Sequence, residues 1–254
     1  MISRPWRKIA GRFLRTPLRW IPASAVLWVL SGPLRGSRWM VGSMPHGAWL
    51  GIFERVKLRH FAGRLRRGMT VWDIGANAGL YSMVGARWVG ATGRVYAFEP
   101  MSRNLEYLRR HLALNRLSNV TVVSKAVADV SGALRMAEGN SPSEFHADLR
   151  GESEASAVRL DDWWKEAGSA LPDIVKIDVE GGEDAVLRGG ASVFSACRPL
   201  IYVAIHGNRQ REECGRFLTK RGYRIESLEK DCGPEISSEW FAEPNVSATQ
   251  QILK

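Results

Sequence analysis

The sequence predicts an α/β protein, a doubly wound and mostly parallel sheet with helices on both faces. Apolar runs of strand length alternate with helical patterns from residue 69 to about residue 228, the rhythm of a parallel sheet with crossover helices. The first run closes on Asp73-Ile74-Gly75-Ala76-Asn77-Ala78-Gly79, a glycine turn that opens directly into a helical pattern. With 254 residues, 45% of them hydrophobic and 24% charged, the chain has the size and composition of one such domain plus a short appendage. We place an N-terminal extension at 1–42 and the domain at 43–254.

The elements follow in order. Within residues 4–19, Trp6, Ile9, Ala10, Phe13, Leu14 and Leu18 fall at helical spacing, with arginines and Lys8 between them. Such a basic amphipathic helix either lies on an anionic membrane surface or packs on its own domain or a partner, and the pattern leaves both open. The apolar stretch 21–30 is too short to span a bilayer, is bracketed by Pro22 and Pro33, and has no small-x-small site after it, so no cleaved leader is expected. Residues 43–68 read as a turn and a helix leading into the sheet. Strands are expected at 69–75, 94–98, 120–124 (continuing past Ala126), 133–137, near 157–160, at 173–179, 200–205, 223–228 and 246–253. Helices are expected at 80–89, 102–115, 161–167, 183–197 and 209–221. Residues 138–156 look most loop-like.

Charge is unevenly placed. The net charge is +10, yet residues 1–70 hold fourteen of the 36 Lys/Arg and one of the 26 acids, Glu54. The remainder has 22 basic and 25 acidic residues, which argues against a nucleic-acid groove across the main domain. Cys197, Cys214 and Cys232 are odd in number and lack metal-ligand spacing, so they read as thiols in a reducing compartment.

The glycine turn is a nucleotide-type ligand loop, because glycines let the backbone turn tightly and approach a ligand. The dinucleotide pattern Gly-x-Gly-x-x-Gly is absent. Asp73 at the strand end would repel a pyrophosphate but suits a cofactor with an ammonium and a sulfonium, which S-adenosylmethionine (SAM) is. An acid that merely caps the next helix is the bland alternative. Glu99, in Phe98-Glu99-Pro100 at the second strand tip, stands where a carboxylate accepts hydrogen bonds from ribose hydroxyls. At the fourth strand tip, Lys176-Ile177-Asp178-Val179-Glu180-Gly181-Gly182-Glu183 puts three carboxylates at the ligand-binding edge. Asp178 or Glu180 can hold an acceptor hydroxyl or take its proton, while Glu183 suits a helix N-terminus. His206 follows the fifth strand and falls at the same edge.

These residues resemble the FkbM-type family of SAM-dependent O-methyltransferases. The resemblance runs from about Gly42 to about Gly207, through residues 72–79, Phe98-Glu99-Pro100 with Asn104 and Asn115, Leu160-Asp161-Asp162, and the Asp178-x-Glu180-Gly181 turn with Leu187-Arg188-Gly189. It implies the class I methyltransferase fold, a Rossmann-like sheet of seven strands whose last strand runs antiparallel. It further implies that Asp73, Gly75, Ala76, Asn77 and Gly79 surround the methionine part of SAM, with Glu99, Pro100 and Asn104 on the ribose side. Ser124, Ala126 and Val127 would lie near the adenine. Asp178, Glu180 and His206 would face a hydroxyl of a small molecule, sugar or glycan. No metal and no nucleic-acid partner are expected. The expected location is cytoplasmic, with peripheral contact at the inner membrane surface as the role open to residues 4–19. One departure stands out: many members carry a glutamate two residues before the histidine, and this chain has Ala204. A non-catalytic SAM-binding protein and, less well supported, a nucleic-acid methyltransferase are the competing readings.

Overall fold

A computed structural model describes residues 17–138, 145–147 and 153–245. The expected helix at 4–19 lies almost wholly outside them; its last residues belong to a 3-10 turn, Pro17–Trp20. A hairpin follows, β1 (Val26–Trp28) and β2 (Arg38–Met40), paired antiparallel. Two short helices, α1 (Gly47–Leu50) and α2 (Arg55–Arg64), then lead to β3 (Thr70–Ile74).

From β3 the chain alternates as predicted: α3 (Leu80–Val89), β4 (Arg94–Phe98), α4 (Ser102–Leu114) and β5 (Val120–Val123). After an excursion come α5 (Leu160–Ala167), β10 (Ile174–Ile177), α6 (Glu183–Gly189), α7 (Ala191–Cys197), β11 (Leu200–Ala204) and α8 (Asn208–Lys220). The chain closes with β12 (Tyr223–Ser227) and β13 (Glu239–Pro244). Seven strands form the main sheet in the order β12-β13-β11-β10-β3-β4-β5. Only β13 is antiparallel, inserted between β11 and β12.

All five residues of β3 are buried, as a central strand covered on both faces requires. Its side chains alternate between two cores. Val71 joins Phe61, Met83 and Leu108 on one face; Trp72 and Ile74 join Phe98, Trp163 and Phe194 on the other. Trp163 sets its edge against Trp72, Tyr96 and Phe98 at 4.7–5.2 Å between centroids, so α5 is held by aromatic contacts. The parallel register pairs Ile74 with Phe98 and with Ile177, and Ile177 with Val203. Four strands therefore end level, and the residues just beyond them share one edge.

The structure differs from expectation in several places. The third strand does not run past Ala126. The chain turns at Lys125, whose N–H donates to the Val123 carbonyl, and β6 (Ala126–Val127) enters a second sheet. That sheet, ordered β6-β9-β7-β8, contains β7 (Gly132–Glu138), β8 (Phe145–Ala147) and β9 (Ser153–Val158), so part of the stretch read as a loop is strand. The single helix expected at 183–197 breaks at Gly190, where a Cβ would stand 2.8–2.9 Å from Phe194 and Leu160. Asp161 accepts from the N–H groups of Ser192 and Val193, capping the second piece. The strand expected at 246–253 lies outside the described residues; the antiparallel strand is β13, within a polar segment that shows little strand patterning.

Val29, Leu34, Trp39 and Val41 pack into the core cluster that holds Phe61, Val71 and Met83. Trp39 is fully buried and stacks on His111 at 4.0 Å. The Met40 N–H donates to His111 Nε2 at 2.9 Å, so the ring proton is on Nδ1, which donates to the Ala78 carbonyl at 2.7 Å. Burial pushes His111 down to about 4.

Candidate active site

A cavity of about 510 Å³ opens at the shared strand edge. One side is built from the tips of β3 and β4: Gly75, Ala76, Asn77, Glu99, Pro100, Met101 and Asn104 line it. Ala126, Val127, Val130 and Leu134 continue this wall with apolar surface. The other side is built from the tips of β10 and β11, with Asp178, Glu180, Ala204 and His206, and Met44, Pro45 and Phe53 from the N-terminal segment border it.

On the first side the main chain does the holding. Gly75 adopts φ +74°, and a Cβ there would sit 1.8 Å from the Asp178 carbonyl, so only glycine lets β3 and β10 end this close. Glu99 is buried, and its carboxylate accepts from the N–H groups of Asn77 (2.8 Å) and Met101 (2.9 Å) and from the Asn104 amide at 3.4 Å. Burial raises the Glu99 carboxyl above its ordinary range; those N–H groups oppose the rise.

On the second side, side chains hold one another. His206 Nδ1 lies 2.8 Å from Glu183 Oε1, and Nε2 lies 3.2 Å from Glu180 and 3.9 Å from Asp178. Burial disfavours the imidazolium, but the Glu183 hydrogen bond and the Asp178 and Glu180 charges outweigh it and push His206 up to about 9. At neutral pH His206 is therefore a cation between carboxylates. Glu180 occupies φ 54°, left-handed backbone that is uncommon outside glycine, and this turn aims it back toward the strand edge. Asp178, Glu180 and His206 each offer one ligand atom, all within 4.8 Å of one another, a disposition that also suits a divalent cation.

Three sequence-predicted cofactor residues stand away from the cavity wall. Asp73 is fully buried behind it; Ser82 donates to its Oδ2 at 2.5 Å and Lys176 stands 3.5 Å from its Oδ1. Lys176 is thus its ion-pair partner inside the protein. Gly79 instead allows close packing, since a Cβ there would lie 2.5 Å from Leu108. The Ser124 hydroxyl accepts from Arg109 at 2.8 Å, and Lys125 takes its place on the wall.

Two contributors escaped the sequence reading. Lys176 is buried, donates to the Gly75 carbonyl at 2.7 Å and lies 3.6 Å from Asp178, so one ammonium spans both halves of the site. Burial works against its charge, yet Asp178 and Asp73 hold it above the ordinary lysine range. Its position in Lys176-Ile177-Asp178 was the available signal. Glu239 pairs in register with Ala204 and also lines the cavity, so β13 supplies a carboxylate at the level where the glutamate is missing. Its partners are Lys57 at 2.6 Å, itself 3.1 Å from Glu54, and Tyr81 donates to Glu54 at 2.7 Å.

The comparisons with known proteins agree with this architecture. The profile of the methyltransferase FkbM domain matches residues 73–225. The chain is 32% identical over 170 residues to the 31-O-demethyl-FK506 methyltransferase FkbM of Streptomyces tacrolimicus, covering 54% of this chain and 64% of that relative's length. Among solved structures, a putative rRNA-methylase of Clostridium thermocellum superposes with a TM-score of 0.50 at 12% identity, over 77% of this chain and 96% of that one. The methyltransferase FkbM of Methylobacillus flagellatus gives 0.49 at 17% identity, over 79% and 55%. At 12% identity the Clostridium thermocellum structure speaks to the fold alone. The matched profile covers the strand-edge site from Asp73 to His206, and the chain belongs to the FkbM methyltransferase family, SAM-dependent enzymes on the class I fold.

Proposed function

We propose that the protein transfers a methyl group from SAM to a hydroxyl of a small molecule, sugar or glycan. One observation supports this reading best. A single cavity joins a main-chain-built half around Glu99 to a carboxylate–histidine half around Asp178.

The first half fits the cofactor. A fixed carboxylate at the β4 tip suits ribose hydroxyls, and apolar Ala126, Val127 and Leu134 suit a flat base. SAM when bound supplies an electrophilic methyl on a sulfonium, so the protein's share is positioning, water exclusion and proton removal. Asp178 would hold the acceptor O–H and take its proton as the methyl carbon leaves sulfur for that oxygen. Lys176 and His206 flank that carboxylate and fix its position. Glu180 extends the polar surface toward the acceptor. Because His206 is cationic at neutral pH, it positions these carboxylates and is not itself the base. The FK506-directed relative, named for a 31-O-demethyl substrate, supports an oxygen acceptor.

The test is SAM turnover against a panel of hydroxyl acceptors. Asp178→Asn is expected to lower turnover roughly 10²- to 10⁴-fold while SAM binding by calorimetry stays close to wild type. Unchanged turnover removes Asp178 from the chemistry. Chelation separates a second reading, in which a divalent cation sits on Asp178, Glu180 and His206 and holds the acceptor. Loss of turnover with EDTA, restored by Mg²⁺ or Mn²⁺, favours that reading.

A further inference from the structure

Six of the nine large apolar side chains that stand exposed among the described residues fall between positions 20 and 56: Trp20, Val26, Trp28, Leu30, Ile52 and Val56. A single exposed apolar residue needs no explanation, but such a concentration does. Folding brings several of them together. Val26 and Trp28 share the outward face of β1, while Leu27 between them packs on the core. The Leu30 N–H donates to the Trp49 carbonyl, and the next residue, Ser31, bonds the Leu50 carbonyl at 2.8 Å. Leu30 therefore lies beside the turn that carries Ile52.

The charges interleaved with these residues are of one sign. Arg35, Arg38, Arg55 and Arg59 are exposed in the same segment. The Arg38 guanidinium lies 5.2 Å over the Trp28 ring, which it faces across the hairpin. The segment's one acid, Glu54, is half-buried and already engaged by Lys57 and Tyr81. A surface of one charge sign calls for a partner of the opposite sign. Tryptophans, aliphatic side chains and arginines with no exposed carboxylate match the headgroup region of an anionic bilayer. No helix among the described residues is long and apolar enough to cross a membrane, so the contact is peripheral.

We propose that the face formed by residues 20–59 docks on an anionic lipid surface. The same segment supplies Met44, Pro45 and Phe53 to the cavity wall, so docking sets one wall of the active site against the bilayer. This inference stands on surface chemistry and does not require the reaction proposed above.

The full-length chain is co-sedimented with vesicles of phosphatidylcholine alone and with vesicles containing phosphatidylglycerol, at low and high salt. Retention is expected only with phosphatidylglycerol, weakening with salt. Each arginine at such a surface contributes about a factor of five, so Arg35→Glu with Arg38→Glu weakens partitioning about 25-fold or more. Trp28→Glu with Leu30→Glu abolishes it; an unchanged melting temperature checks that the fold survives. Wild-type retention in both double variants overturns the proposal and assigns any binding to residues outside this face. Equal behaviour on the two vesicle types overturns it as well. So does a dimer, seen by sedimentation equilibrium without lipid, that Trp28→Glu dissociates. No arm reads methyl transfer, so a failed catalytic reading and a failed docking reading remain distinguishable.

Discussion

The two halves of the cavity solve the problem of holding a carboxylate differently. Glu99 is 4% exposed and is gripped by main-chain N–H groups that cannot move without moving β3 and β4. Asp178, Glu180 and His206 have side chains 29–35% exposed and are held by one another. Main-chain donors are fixed by the sheet and tolerate almost any neighbouring sequence, which suits a ligand that never changes. Side-chain partners can be exchanged one at a time, which suits a surface whose ligand changes. The pair of histidines repeats the contrast: His111, behind the glycine turn, is kept neutral, whereas His206 is kept charged.

The largest effect should come from the group that belongs to both halves. Lys176→Met leaves Asp73 buried without its cation and is expected to destabilise the fold by about 3–5 kcal/mol, measured by urea unfolding. A small effect would show that the halves are independent. Next, Glu99→Gln should weaken SAM binding by about 10- to 100-fold with little change in acceptor KM. Glu180→Gln should do the reverse, raising acceptor KM and leaving SAM affinity alone. If both variants move both constants, the division between the halves fails.

The smallest and most diagnostic effects concern pH. His111 has a depressed value, so the unfolded chain binds more protons than the native one between about 6.5 and 4. Its contribution is complete above that window and is lost as pH falls through it. His206 has a raised value, so the native state binds more protons between about 6.5 and 9. Its contribution is complete below that window and is lost as pH rises. Stability profiles of His111→Gln and His206→Gln should each flatten one flank only, the acid flank for the first and the alkaline flank for the second.

Much of this was legible in the chain. The strands at 94–98 and 200–204 and the helix at 80–89 announce themselves because their apolar period is strong and glycine or polar residues bound them. Cavity residues adjacent to strand tips, from Gly75 to His206, follow from topology alone. The surroundings of Asp73 were not legible, because sequence shows a carboxylate at a strand end but not the lysine on the neighbouring strand that pairs with it. Lys176 reaches it through the register of β3 with β10, a tertiary fact. Glu239 was hidden for a similar reason. Its strand is polar at its start, ends on Glu243-Pro244, and becomes a strand by filling the gap between β11 and β12. The break at Gly190 depends on Phe194 and Leu160 meeting there, which no local pattern reports.

One imidazole has a reach beyond its size. His111 takes a proton bond from Met40 on the N-terminal hairpin and passes one to Ala78 in the glycine turn. The hairpin and the ligand loop are thus in mechanical series, with α4 as the mounting and His111 as the coupling rod. A proton on Nε2 would remove the acceptor that the Met40 N–H uses, and would part the hairpin from the ring.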